Sequence, residues 1–212
     1  MADRIARALE RESIHDVPRL ARLFLADAEA RGRFRRSLAV SHTGLFRDPA
    51  QFDLLERTLL PPLLAEGRRL HVWSAGCSNG AELYSVGLLL ERLDALDRSF
   101  LLGSDLLEEN IAQARRGEYA GVEMPQGLRR QLRWERRDLI SDGAPSGRWR
   151  LILCRNVAIY LTRAARDRLQ ETLTQALAPG GVLLLGRSER IHEPRRLGLE
   201  RVAPHAYRRC VA

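Results

Sequence analysis

A run of small residues at 75–80, Ala-Gly-Cys-Ser-Asn-Gly, separates an apolar stretch from a longer one with helical periodicity. Small residues let the backbone approach a ligand closely, and the first turn of a helix presents N–H groups that have no partner within the helix. The run is therefore suited to hold a phosphate or the charged end of a cofactor. It matches neither GxxxxGK followed by Ser or Thr nor GxGxxG, so a tight turn without a ligand explains it equally well.

Polar residues follow two further apolar stretches. Asp105 lies about 20 to 30 residues beyond the small-residue run, where an acid can accept hydrogen bonds from both hydroxyls of a ribose. Capping of the next helix is its alternative role. Arg155 and Asn156 follow the apolar residues 151–153, and an asparagine there can bond backbone or cofactor. Tyr160 comes next, although half-buried packing is the commoner role of a tyrosine.

Arg47 precedes Asp48-Pro49, which reads as an acidic N-cap followed by proline at the first helical position. All 35 basic residues are arginine, against 27 acidic ones, and the formal net charge is +8. We attribute the exclusive use of arginine to coding bias in a GC-rich genome, so Arg47 alone is one solvated arginine among many. Aromatic residues are scattered and make up 6%, and we predict no nucleic-acid ligand. A basic surface can still attract an acidic protein.

Strands and helices alternate along the chain and position these residues. The predicted strands are 70–74, 100–104, 134–138, 149–154 and 182–186, with a final antiparallel pair in 197–209. The predicted helices are 48–60, ended by Pro61-Pro62, then 81–93, one after Asp105, and 163–177, ended before Pro179-Gly180-Gly181. This alternation predicts an α/β fold with a doubly wound, mostly parallel sheet, which binds ligands at the carboxyl ends of its strands.

The whole chain, at 212 residues and 45% hydrophobic, is long enough for one sizeable α/β domain. Helical periodicity near the start predicts a short N-terminal helical region at 1–40, before a domain at 41–212. Cys77, Cys154 and Cys210 are too widely spaced for a disulfide framework or a zinc site, so we predict no metal and a reducing compartment. Without a signal-like or membrane-spanning apolar run, we predict a cytoplasmic protein that does not insert into membranes.

Five segments together match a family pattern. They are GLFRDP at 44–49, VWSAGCSNGAELYS at 72–85, GSD at 103–105, CRNVAIYL at 154–161 and LGRSE at 185–189. In order, they resemble the TxFFR, WSAGCSTGEEPYS, xSDI, CRNVLIYF and GHSE segments of the chemotaxis receptor methyltransferases, the CheR family. These enzymes use S-adenosylmethionine to esterify glutamate side chains on other proteins. The second and fourth segments are long and specific, and the resemblance covers roughly residues 41 to 190.

The resemblance implies a seven-stranded, Rossmann-like class I methyltransferase domain after a small helical region. It also implies that S-adenosylmethionine is the cofactor and S-adenosylhomocysteine the product. Family positions that contact the cofactor correspond to Thr43, Arg47, Glu82, Asp105, Asp138, Leu139, Asn156 and Val157, and the small-residue run adds Ala75 and Gly76. Arg47 and Tyr160 correspond to residues beside the reacting methyl group.

The implied acceptor is an acidic protein, such as the cytoplasmic domain of a chemoreceptor or a related signalling protein. A glutamate carboxylate is already ionised near neutral pH, so its methylation needs positioning and electrostatics rather than a strong base. Arg47 can hold a carboxylate through paired N–H donors, and Tyr160 can orient the methyl group or the incoming oxygen.

The chain departs from the family at several points. Ser41, Ala81 and Arg187 replace a frequent asparagine, the first glutamate of GEE and the histidine of GHSE, which bears on cofactor affinity rather than fold. The region before Thr43 is about half the usual size. In many relatives a β-subdomain that grips a receptor's C-terminal peptide is inserted near residues 117–137, which are too few here for three additional strands. We therefore predict no tethering to a receptor-tail pentapeptide.

Two alternatives to a chemoreceptor methyltransferase follow. The shortened docking elements favour a methyltransferase of the same fold, repurposed for a small molecule or a non-receptor protein. A non-catalytic, S-adenosylmethionine-binding interaction module is the other alternative. It is disfavoured because the chain retains the following family residues: Arg47, Glu82, Asp105, Asn156 and Tyr160.

Overall fold

The computed structural model describes residues 44–119 and 122–211. The predicted helical region at 1–40, Ser41 and the predicted cofactor residue Thr43 lie outside these residues. Within them, no helix combines the length and the apolarity that crossing a lipid bilayer requires.

Seven strands form one mixed sheet. They are β1 (Leu70–Ala75), β2 (Ser99–Asp105), β5 (Leu132–Arg136), β6 (Trp149–Cys154), β7 (Leu177–Leu185), β8 (Leu199–Ala203) and β9 (Ala206–Arg209). The order is β5-β2-β1-β6-β7-β9-β8, in which β9 runs antiparallel to both of its neighbours and the other pairings are parallel. The predicted α/β fold with a mostly parallel seven-stranded sheet is thus confirmed. Strands β3 (Glu118–Tyr119) and β4 (Val122–Glu123) form a separate two-stranded hairpin.

Helices fill the connections between these strands. They are α1 (Pro49–Leu54), a π-helical turn (Leu55–Leu59), α2 (Leu60–Ala65), α3 (Ala81–Arg92), α4 (Glu108–Arg116), α5 (Gln126–Gln131) and α6 (Arg163–Ala176), with 3₁₀ turns at Ala158–Tyr160 and Pro194–Leu197. The four central strands, buried along most of their length, have apolar side chains on both faces, as expected for a parallel sheet covered on both sides.

The core has one cluster on each face of the sheet. Successive side chains of a strand point to opposite faces of the sheet. Val72 therefore packs with side chains of α1, α2 and α3, whereas Trp73 packs with side chains of α6. In the same way Leu151 belongs to the cluster of Val72 and Ile152 to that of Trp73. Burial of each such side chain contributes about 1.5–3 kcal/mol, so the strands are firmly placed and their carboxyl ends form a rigid edge.

The prediction that Pro61-Pro62 ends the first helix is wrong. These prolines occupy the first positions of α2, directly after the π-helical turn, in which the N–H of Leu60 donates to the carbonyl oxygen of Leu55. Proline is tolerated in the first turn of a helix because its missing N–H has no partner there. Burial of Leu60 and Leu63 then holds the continued helix against the sheet.

The predicted start of β7 at 182 is also wrong, because the strand begins at Leu177. Its pairing with β6 shifts register between Trp149↔Leu177 and Leu151↔Val182, so the intervening Pro179-Gly180-Gly181 forms an irregularity within the strand. A Cβ at Gly181 would lie 2.9 Å from two carbonyl oxygens, which explains why a residue without a side chain stands there. Strand β5 begins and ends two residues earlier than predicted.

Candidate active site

The carboxyl ends of the parallel strands bring most of the predicted site residues to one edge of the sheet. Those on the strand ends and the loops that follow are Ala75 at the end of β1, Gly76 after it, Asp105 in β2, Asp138 and Leu139 after β5, and Asn156, Val157 and Tyr160 after β6. Glu82 lies in the first turn of α3, and Arg47 precedes α1. Side chains from separate parts of the chain thus meet at the edge where such sheets bind ligands.

The small-residue run is folded tightly against β2 and the segment after β6. The N–H groups of Gly76 and Cys77 both donate to the Ser104 carbonyl oxygen, at 2.8 and 2.9 Å. Gly76 has φ +76°, and a Cβ there would lie 2.5 Å from Cγ2 of Val157. Glycine is needed both for the left-handed backbone and for this approach, so the loops after β1 and β6 are packed against each other.

Asp105 is nearly buried, at 9% exposure, and holds the small-residue run in place. Its Oδ2 accepts the N–H of Ser78 at 2.8 Å, and Oδ1 accepts the N–H of Leu107 at 3.0 Å and the side-chain amide of Asn110 at 2.9 Å. The alternative role as N-cap is wrong, because Leu107 is the N-cap residue of α4 and Asp105 lies two residues before it. An ionised carboxylate has about four acceptor positions, so three such bonds leave capacity for a ligand hydroxyl.

Arg155 is the centre of a buried polar network that the sequence did not reveal. Its side chain is 3% exposed and donates four hydrogen bonds. Nε donates to Gln51 Oε1 at 2.8 Å and Nη1 to Glu82 Oε2 at 3.1 Å. Nη2 donates to the Arg47 carbonyl oxygen at 2.7 Å and to Asp48 Oδ2 at 3.0 Å. One cation therefore ties the start of α1 and the first turn of α3 to the end of β6.

Glu82, a predicted cofactor residue, is part of this network. Its Oε1 accepts the Ser74 hydroxyl at 2.7 Å, while Oε2 pairs with Arg155. The carboxylate is therefore fixed from β1 and β6 at once, and its remaining acceptor positions are preorganised.

The segment that carries Arg47 has an unusual backbone. Phe46 and Asp48, on either side of it, have φ of 52° and 60°, a conformation that costs roughly 1–2 kcal/mol for residues other than glycine. The N–H of Phe46 donates to the Ser85 hydroxyl at 2.8 Å, and the Phe46 and Phe52 rings meet edge to face at 5.3 Å. These contacts and Arg155 hold the segment so that the Arg47 side chain is exposed.

The segment after β6 presents Tyr160 to solvent rather than to the core. Asn156 has φ 62°, and the chain then forms the 3₁₀ turn Ala158–Tyr160. Tyr160 is 46% exposed and Ile159 43%. The expectation of half-buried packing for Tyr160 therefore gives way to an exposed phenol on the loop that follows a central strand.

Asp138 and Leu139 lie in a compact turn after β5. The Asp138 carboxylate accepts the N–H of Ile140 at 2.9 Å, and Leu139 is buried. The N–H of Arg137 donates to the Asp105 carbonyl oxygen at 2.8 Å, so this turn adjoins the end of β2.

Two buried thiols near these carboxylates are unsuited to act as nucleophiles. Burial, reinforced by the charges of Asp105 and Glu82, raises the pKa of Cys77 well above its ordinary value. Burial and the charge of Glu189 raise the pKa of Cys154 in the same way. Both thiols therefore stay protonated. Among the described residues, no three His, Cys, Asp or Glu side chains are arranged to hold a metal ion.

A depression of about 490 Å³ lies at the opposite, amino edge of the sheet, between residues 143–148 and the last turn of α6. It contains none of the predicted site residues. The carboxyl edge remains the candidate site because the predicted site residues and the buried network around Arg155 lie there.

The family model that the chain matches makes it an S-adenosylmethionine-dependent methyltransferase, and the fold agrees with this class. More particularly, the chain belongs to the CheR methyltransferase family. The family model described as "CheR methyltransferase, SAM binding domain" matches residues 41–132 and 122–203. S-adenosylmethionine is accordingly the cofactor of this domain, and the resemblance found in the sequence is confirmed.

Curated relatives carry related names. The chain is 32% identical to a "Chemotaxis protein methyltransferase" of Listeria monocytogenes over 195 residues, which is 82% of this chain and 74% of the relative. It is 25% identical to "Chemotaxis protein methyltransferase 1" of Pseudomonas aeruginosa over 227 residues, which is 91% of this chain and 82% of the relative. Among solved structures it is similar to a TehB-like SAM-dependent methyltransferase from Corynebacterium glutamicum, at 17% identity and a TM-score of 0.47, covering 76% of this chain and 96% of the other.

Proposed function

We propose that the chain transfers a methyl group from S-adenosylmethionine to the carboxylate of a glutamate side chain on an acidic signalling protein, such as the cytoplasmic domain of a chemoreceptor. The observation that carries this proposal is the network around Arg155. It ties the segment of the exposed Arg47 to the strand end that leads into Asn156 and the exposed Tyr160. The names of the chemotaxis methyltransferases to which the chain is similar support the same acceptor.

The residues at the carboxyl edge fit the cofactor. Gly76 provides close backbone approach, while Asp105 and Glu82 provide fixed carboxylate acceptors for hydroxyl or ammonium groups. We assign cofactor contacts to the full predicted set, which is Thr43, Arg47, Ala75, Gly76, Glu82, Asp105, Asp138, Leu139, Asn156 and Val157. When bound, the cofactor supplies a methyl group that is already electrophilic because it is attached to a sulfonium.

The protein's part in the transfer is positioning. A carboxylate oxygen of the acceptor forms a bond to the methyl carbon as the carbon–sulfur bond breaks, which yields a methyl ester and S-adenosylhomocysteine without proton transfer. Arg47 holds the acceptor carboxylate by paired N–H donors, and Tyr160 orients the reacting groups. Because both side chains are exposed on restrained segments, they are accessible to a macromolecular acceptor.

Labelling of receptor-containing membranes tests the proposal. Purified protein and methyl-labelled S-adenosylmethionine should produce protein-bound label that is released as methanol by base. Arg47→Ala and Tyr160→Phe should each lower the rate at least tenfold and leave the melting temperature within about 2 °C, because neither side chain is buried. Arg98→Ala, which removes an exposed arginine at the amino edge, is the matched control and should not change the rate. Unchanged rates in both variants would refute the assigned roles.

A second candidate function is the same transfer to a small molecule or a non-receptor protein. It is favoured by the size of the β3–β4 hairpin, whose strands have two residues each, because this leaves little surface there for docking a receptor. Label that appears only on small acids or hydroxyl compounds would select this candidate. Cofactor binding without turnover on any acceptor would instead indicate an interaction module.

The same hairpin bears on tethering to receptors. We propose that residues 117–137 do not bind a receptor-tail pentapeptide. Isothermal titration of the protein with a peptide of that kind should show no heat of binding at millimolar concentration, and saturable binding that depends on these residues would contradict the proposal.

A further inference from the structure

Glu189 is a buried charged residue near the carboxyl edge of the sheet. Its side chain follows β7 in the segment matching GHSE, and the residue is 6% exposed. None of the ion pairs among the described residues includes it. A buried carboxylate without a cationic partner is costly, unless backbone N–H groups solvate it.

Three N–H groups surround the carboxylate. Oε2 accepts from Asn156 at 2.7 Å and from Gly186 at 2.8 Å, and Oε1 accepts from Ala158 at 2.7 Å. Two of these donors belong to the segment that leads to Tyr160. The carboxylate therefore accepts two of the first four N–H groups beyond β6, in a stretch where Asn156 has a left-handed backbone.

Glu189 is itself held by the neighbouring strands. Its N–H donates to the Gly186 carbonyl oxygen at 2.9 Å, and its carbonyl oxygen lies 2.7 Å from Nδ1 of His205. The His205 carbonyl oxygen in turn accepts the N–H of Leu185 at 2.9 Å. The backbone of Glu189 is thus held by the end of β7 and by the turn before β9, and not by β6.

We propose that Glu189 is a positioning residue. Its carboxylate fixes the backbone of Asn156 and the turn Ala158–Tyr160, and thereby sets where Asn156 meets the cofactor and where Tyr160 meets the acceptor. This inference rests on the proposed roles of Asn156 and Tyr160.

Replacement of one carboxylate oxygen tests the inference. In Glu189→Gln, an amide NH₂ must replace either Oε1 or Oε2, so at least one N–H faces a donor instead of an acceptor. We expect the Kd for S-adenosylhomocysteine, measured by isothermal titration at 20 °C, to rise at least tenfold and kcat to fall at least tenfold. The KM for the acceptor should stay within about threefold. Glu193→Gln, at an exposed glutamate in the same loop, is the control.

A glycine substitution tests the same junction without changing a charge. Gly186 has an ordinary backbone, but a Cβ there would lie 2.7 Å from Glu189 Oε2 and 2.8 Å from the Asn156 nitrogen. Gly186→Ala should therefore displace the carboxylate and weaken S-adenosylhomocysteine binding in the same direction. Gly127→Ala adds a Cβ with no heavy atom within 4 Å and should leave binding unchanged.

The outcomes separate this inference from the proposed function. The inference is wrong if Glu189→Gln folds and binds S-adenosylhomocysteine within twofold of wild type. It is also wrong if the substitution lowers the melting temperature but changes neither this binding nor kcat. If Glu189→Gln does not fold, the result for Gly186→Ala decides by the same criterion. Asn156→Ala is measured alongside. Unchanged binding in that variant refutes the proposed role of Asn156 itself, whereas weakened binding in Asn156→Ala with unchanged binding in Glu189→Gln refutes only the inference.

Discussion

Arg155 shows how one side chain can join three elements. A planar guanidinium with five N–H donors reaches acceptors in several directions at fixed angles, which the compact ammonium of a lysine does not. Here four of those donors are used, and two of the acceptors are carboxylates, those of Asp48 and Glu82. The guanidinium also lies 5.3 Å from the centre of the Phe52 ring. The chain contains no lysine, and its 35 arginines provide many side chains able to take this role.

Removal of that charge should destabilise the protein strongly. Arg155→Met leaves two partly buried carboxylates without their cation, and the loss of one partner from a buried ion pair costs about 3–5 kcal/mol. Urea denaturation should therefore show a fall of about that size in the free energy of unfolding, and methyl transfer should fall with it because Arg47 loses its backbone anchor. Arg98→Met is the exposed control. A loss below about 1 kcal/mol would show that the network contributes little.

At the scale of single residues, the sequence predicted that Gly76 and Asp105 lie at strand ends, because a strand end and the turn after it are visible as composition. It did not predict their contacts with Val157 and Ser78. The roles of Arg155 and Glu189 could not be predicted either, because their partners are remote in sequence, 104 residues away for Gln51 and 33 for Asn156. The available signal was that Arg155 directly follows the apolar strand β6, and that Glu189 lies in the segment matching GHSE, four residues after β7.

At the scale of elements, periodicity and turn residues predicted the parallel strands and α3, whereas two proline segments were misinterpreted. Proline removes a backbone N–H donor, but the sequence alone does not show whether that N–H would have had a hydrogen-bond partner. The π-helical turn before Pro61-Pro62 leaves no such partner there. The register shift between β6 and β7 does the same at Pro179-Gly180-Gly181. Such irregularities depend on packing against other elements, which a single sequence does not display.

The packing of β1 against β2 and β6 also makes stability depend on pH. His71 lies with its ring centre 5.5 Å from Phe100 and 6.2 Å from Trp149, and burial followed by the charge of Arg69 lowers its pKa below 6.5. His71 therefore binds a proton more readily in the unfolded chain than in the folded one. Its neutral form contributes to the free energy of unfolding above about pH 6.5, and this contribution is lost as pH falls through the pKa of the folded state.

The pH effect can be isolated with a variant that cannot titrate. Between pH 7.5 and 5.5, the melting temperature of the wild type should fall by more than that of His71→Phe, measured by circular dichroism in buffers of equal ionic strength. Equal falls in the two proteins would show that other groups account for the acid sensitivity.

At the scale of the whole molecule, the charge of +8 is a property that should steer an acidic acceptor. Arg187, where the family pattern has histidine, extends it to the rim of the site. Its side chain is 71% exposed and lies 4.0 Å from Asp48, which is already paired with Arg155. It is therefore available to an incoming carboxylate at the edge that carries Arg47.

Salt should weaken this steering because exposed charges are screened over about 8 Å at physiological ionic strength. Raising NaCl from about 50 to about 300 mM should lower kcat/KM for a protein acceptor severalfold. The affinity for S-adenosylhomocysteine should change little, because residues assigned to it, such as Asp105 and Leu139, are buried. Arg187→Ala should reduce this salt dependence and raise KM, whereas Arg98→Ala, at the amino edge, should change neither. If both variants respond to salt as the wild type does, net charge rather than a cationic rim attracts the acceptor.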